Sequence, residues 1–91
     1  MPADPVMTAL VAGQLRGGLR LAGWEAADLW LASVAIGANL GMGDIAGYTA
    51  GRTVPTRREY DILALALNEQ LSDLGQDHPI RRWDDLDADP R

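Results

Sequence analysis

The chain contains no cysteine, no lysine and no phenylalanine, and it has a single histidine. Without cysteine there is no disulfide framework, no thiolate metal site and no thiol nucleophile. Without lysine there is no phosphate-loop cation, and Gly41 and Gly43 lack the preceding strand and third glycine of a dinucleotide loop. Ser33 and Ser72 are the only serines, and neither stands in a nucleophile-elbow context. His78, between Asp77 and Pro79, has no second histidine or cysteine to share a metal with. These absences leave no catalytic constellation, so the expectation is a non-enzymatic protein with no catalytic residue, no metal and no cofactor.

Charge of one sign is also scarce. All 8 basic residues are arginines, set against 13 acids for a net charge of −5. Such a chain has no broad basic field for phosphate backbones, and any nucleic-acid contact must come from a local patch. The N-terminus has no basic stretch ahead of an apolar one and carries Asp4, unlike a secretory signal. The longest apolar run, from Leu29 to Leu40, is about twelve residues and is interrupted by Ser33, Gly37 and Asn39, too short to span a bilayer. The expectation is a soluble, cytoplasmic protein.

What is present is apolar residue at helical spacing: hydrophobic side chains make up 47% of 91 residues, enough for one modest core. Alternating strand patterns and hairpin turns are missing. The predicted fold is therefore all-α, a small single-domain bundle of four main helices over residues 1–75, with an acidic C-terminal segment at 76–91.

Asp4-Pro5 opens the first helix, because the carboxylate accepts free backbone N–H groups and proline loses nothing at the first helical position. That helix is expected to run to about Leu21, burying Val6, Leu10, Val11, Leu15 and Leu19. Gly17 and Gly18 weaken it by roughly 1 kcal/mol each against alanine and mark a kink or a close helix contact. After Gly23 a second helix is expected over Ala26–Leu40. Its Leu29, Trp30, Leu31, Val34, Ile36 and Leu40 occupy every face, which predicts the central, buried element of the core.

Gly41 then caps a short third helix, with Asp44 complementing its free N–H groups, Ile45 and Tyr48 facing inward and Gly51 as its stop. Thr56 and Glu59 form a T-x-x-E capping box, flanked by Pro55 and Tyr60 at the spacing of a hydrophobic staple. Tyr60, Leu63, Ala64, Leu67, Leu71 and Leu74 continue that fourth helix as a 3.6-residue stripe closed by Gly75. In the remainder, Asp77, Asp84, Asp85, Asp87 and Asp89 face Arg81, Arg82 and Arg91. Ile80, Trp83 and Leu86 are spaced by three, so a docked helical turn fits there, with the last residues frayed.

The stretch from Val34 to Asn68 resembles the lambda-repressor-like helix-turn-helix family of small DNA-binding regulators. The residues that carry the resemblance are Val34-Ala35, Leu40 at the turn, Ile45 and Tyr48, Gly51-Arg52, Pro55-Thr56, and Ala64 through Leu67-Asn68. The resemblance implies a regulator of transcription, dimeric on a two-fold site. Arg52, Arg57 and Arg58 would then hold phosphates, and Tyr48 and Thr49 of the third helix would face DNA. The chain departs from the family where it places base readers: Met42, Gly43 and Asp44 stand at the start of the third helix. Methionine and glycine make no bidentate base contacts, and aspartate accepts only from cytosine.

A second reading is left open beside it. Arg57 and Arg58 are also consistent with solvated side chains next to Glu59 and Asp61, and Arg52 with pairing to a helix C-terminus. Trp24 and Trp83, with Ile80 and Leu86, are candidates for a partner surface, because large amphipathic aromatics carry much of the energy at interfaces. The alternative for Trp83 is that it folds back on its own domain together with Ile80 and Leu86. On this reading the chain is an interaction module that binds a protein partner or a second copy and does not bind DNA.

Overall fold

The computed structural model describes residues 4–77 and 79–88. The expectations for His78, Asp89 and Arg91 lie outside these residues. The fold is all-α: α1 Pro5–Ala22, α2 Ala26–Ile36, α3 Met42–Ala50, α4 Arg57–Asp73 and a short α5 Trp83–Asp87. Among the described residues no helix is long and apolar enough to cross a membrane.

The helix starts follow the capping chemistry. Asp4 accepts the N–H of Val6 at 2.9 Å, and the hydroxyl oxygen of Thr56 accepts the N–H of Glu59 at 3.2 Å. Glu59 returns the bond by accepting the N–H of Thr56 at 3.0 Å. The reach-back recurs in the two helices between, where Asp28 accepts the N–H of Glu25 and Asp44 that of Gly41, each at 2.9 Å. Three acids, Asp28, Asp44 and Glu59, are thus occupied in closing helix starts.

The buried face of α1 is Met7, Val11, Ala12, Leu15, Gly18 and Ala22. It is rotated from the expected stripe, with Val6 exposed and Leu10 and Leu19 on the flanks. The reason is that small residues line the inward face. A Cβ on Gly18 would stand 2.8 Å from Cδ1 of Ile80 and 2.9 Å from Cδ1 of Leu67, so this glycine marks close packing. Gly17 meets nothing within 4 Å.

The expectation of a long, central second helix is corrected. α2 ends at Ile36 because Gly37 takes a left-handed conformation, φ 106°, and its N–H bonds back to the carbonyl of Val34. Residues 37–41 then turn the chain into α3, and Trp30 ties that turn down by donating its indole N–H to the carbonyl of Leu40 at 2.6 Å. Within α2 only Leu29 and Ser33 are buried, and the Ser33 hydroxyl donates to the carbonyl of Trp30 at 2.8 Å. The central helix is α4, which buries Tyr60, Leu63, Ala64, Ala66, Leu67, Asn68 and Leu71. Leu74, expected to close its stripe, lies beyond the last turn and is exposed.

The C-terminal segment is docked. Ile80 and Leu86 are buried in the core, and Trp83 packs against it with its ring edge-on to Tyr60, centroids 6.0 Å apart. Since residues 79–82 belong to no helix, side chains satisfy the backbone of Ile80 and Arg81. The Asn68 amide donates to the carbonyl of Ile80 at 2.9 Å and accepts its N–H at 3.0 Å. Tyr60 donates its hydroxyl to the carbonyl of Arg81 at 2.6 Å, and Gln14 accepts the Arg81 N–H at 3.0 Å. Asp61 accepts the N–H of Trp83 at 2.8 Å. The phenol of Tyr60 is consequently held well above the ordinary tyrosine range, first by burial and then by the charge of Asp61.

Candidate interaction surface

The three arginines singled out in the sequence do not converge. Arg57 and Arg58, on the first turn of α4, line a cleft of about 1030 Å³, whereas Arg52, just past α3, lines a separate groove of about 460 Å³ against α1. In that groove Arg52 is joined by Arg16, which donates to the carbonyl of Thr49 at 2.9 Å, close to the C-terminal end of α3. A cation there complements the helix dipole. Arg57 is ion-paired with Asp84 of α5.

The face expected to meet DNA is a packing face over much of its length. Tyr48 is buried, and burial, followed by the charges of Glu59 and Asp44, raises its phenol above the ordinary range. This corrects its assignment as a DNA-facing residue: one turn from the buried Ile45, it lies on the inner side of α3. Thr49 is half-buried and donates its hydroxyl to the carbonyl of Ala46 at 3.1 Å. At the exposed start of α3 stand Gly41, Met42, Gly43 and Asp44, with Asp44 engaged in the cap.

Of the residues named for a partner, Ile80 and Leu86 are core and offer it no surface. This is the folded-back alternative read from their spacing. Trp24 and Trp83 are half-buried and pack against the core. Among the described residues there is no group of three or more histidine, cysteine or acidic side chains placed to hold a metal.

The exposed large apolar side chains lie elsewhere. Val6 and Leu21 on α1, Met42 on α3 and Leu74 after α4 are exposed singly, while α2 exposes three, Leu31 at 60%, Val34 at 45% and Ile36 at 37%, and α4 exposes Leu65 at 47%. Leu31 and Val34, one turn apart, stand on the outer side of α2, away from Leu29 and Ser33. Ile36 turns toward α4, where it lines the larger cleft with Ile62 and Leu65. Arg81 and Arg82, read from sequence only as counter-charges in an acidic tail, join Arg57 and Arg58 around this cleft. A signal for the α2 surface was present: a chain this small has too few neighbouring elements to cover a helix that is apolar all round. No signal placed Arg81 and Arg82, because their position depends on how the last segment docks.

No protein-family model matches the chain, and no curated protein or solved structure matches it.

Proposed function

We propose that this chain is a non-enzymatic interaction module, built on a helix-turn-helix-like scaffold, that binds a partner protein through the exposed apolar side chains of α2 and α4. The observation that carries this reading is the set of four large apolar side chains, Leu31, Val34, Ile36 and Leu65, left uncovered on two helices that pack against each other. Large apolar side chains left exposed on a small chain are a usual mark of a protein-binding site. The net charge of −5 and the acid-capped starts of α2 and α3 favour a protein over a polyanion.

The test is an affinity screen with the immobilised chain, run in parallel with the double variant Leu31→Glu, Leu65→Glu. Both sites are exposed, so the variant keeps its helical circular dichroism. The expected result is a partner retained by the native chain and lost by the variant. An identical set of bound proteins for both chains would sink the reading, and so would no bound protein for either.

One observation favours a DNA-binding regulator as the second reading: Arg16 and Arg52 share the groove beside α3, and among the described residues no acid lines it. That reading predicts duplex retardation that weakens steeply with salt and disappears in Arg16→Ala, Arg52→Ala. The interaction reading predicts no retardation at physiological ionic strength.

A further inference from the structure

We infer that the cleft between α2, α4 and residues 79–88 receives an acidic amphipathic helix of another protein. This rests on the interaction reading above and names the chemistry of the partner. The floor is apolar: Ile62 and Leu65 lie one turn apart on α4, and Ile36 closes the α2 end. Four of the chain's eight arginines stand around it, Arg57, Arg58, Arg81 and Arg82, against two acids, Asp61 and Asp85. The lining therefore sums to +2 (four arginines less two aspartates) in a chain whose total is −5. Counting Asp84, the partner of Arg57, leaves +1, still opposite in sign to the whole.

The rim charges are not equally committed. Arg57 is paired with Asp84, and Arg82 stands 3.8 Å from Asp61. Arg58 makes no hydrogen bond or ion pair with any described residue and is the guanidinium open to an incoming carboxylate, which its planar fork can hold in a bidentate pair. A helix laid in this groove sets apolar residues on the floor and carboxylates against the rim, the usual division of labour in helix-in-groove recognition.

Other occupants fit less well. A nucleic-acid backbone would press charged phosphates on the isoleucine and leucine floor and meet Asp61 and Asp85. Among its described residues a second copy of this chain has no suitable helix to offer. α5 is acidic, but its Leu86 is already buried, while α2 is apolar and carries a single acid, Asp28.

Two synthetic helix-forming peptides serve as probes, each with leucine on one face and either glutamate or lysine on the other, titrated into the full chain by fluorescence anisotropy. The glutamate peptide is expected to bind, to weaken as salt is raised, to lose about tenfold or more on Arg58→Glu, and to be lost on Leu65→Glu. The lysine peptide is expected not to bind. Equal binding of both peptides, abolished by Leu65→Glu, would overturn the acidic partner and leave the interaction reading standing. Failure of the glutamate peptide, indifference to Arg58→Glu, or its displacement by duplex DNA would overturn the assignment. The interaction reading fails separately, in its own screen, where the glutamate side chains replace Leu31 and Leu65 and no arginine is changed.

Discussion

α2 is apolar on every side and carries one acid and no base, yet it buries only Leu29 and Ser33. α4 is bounded by arginines and acids, and it buries seven residues, from Tyr60 to Leu71. Each begins with an acid at its third position reaching back to the cap, so the contrast does not arise at the helix starts. It arises from pattern. The charged outer face of α4 leaves one way for it to dock, stripe inward, whereas α2 presents apolar residue in all directions and its neighbours, α3 and α4, cover only part of it. Apolar content does not say which helix is central; the polar face opposite it does.

The largest effect that tests this contrast is a pair of identical changes. Leu67→Ala empties a fully buried site on α4 that also seats Gly18, and it should cost about 3 kcal/mol. Leu31→Ala on α2, at a side chain 60% exposed, should stay within about 0.5 kcal/mol. Urea denaturation of both variants measures the difference. Similar losses would mean that α2 is as central as its composition implied and that its exposed face is covered in solution.

A second effect concerns how the C-terminal segment is held. Asn68 satisfies both backbone groups of Ile80, which no helix satisfies. Asn68→Ala leaves a buried N–H and carbonyl without these partners and should cost about 2 kcal/mol. It should also raise amide exchange around Ile80 ahead of global unfolding. Unchanged exchange at Ile80 would show that Tyr60, Asp61 and Gln14 anchor the segment without it.

The capped starts and glycine stops of α1, α3 and α4 were legible in the sequence because they depend on neighbours within one helical turn. The docking of Ile80, Trp83 and Leu86 was half legible: their spacing marked a helical turn, but nothing local marked Asn68 and Tyr60 as the groups that receive it. The end of α2 was not legible, because Gly37 sits inside an apolar run that continues to Leu40. The candidate surface was the least legible part. Arg57 and Arg58 were found as a local pair, but the cleft also needs Arg81 and Arg82, more than twenty residues away, and Leu31, Val34 and Ile36 read as core until the number of helices able to cover them was known.

The smallest effect separates two adjacent glycines that the sequence treats as equivalent. Gly17 faces open space, so Gly17→Ala relieves the flexibility of a helix interior with no new contact and should stabilise α1 by about 0.5 to 1 kcal/mol. Gly18 faces α4 and the docked segment, where an added methyl meets Ile80 at 2.8 Å and Leu67 at 2.9 Å. Both neighbouring atoms are side-chain ends, so they can shift, but in a packed core the shift costs about 1 kcal/mol or more and cancels the helical gain. Gly18→Ala should therefore be neutral to destabilising, and adding Ile80→Val, which removes the nearer methyl, should recover part of the loss. Thermal unfolding of the two single variants and the double variant reads the order directly: equal gains at both glycines would mean that Ile80 does not seat against α1, and the contrast between a committed α4 surface and an open α2 surface would lose one of its two supports.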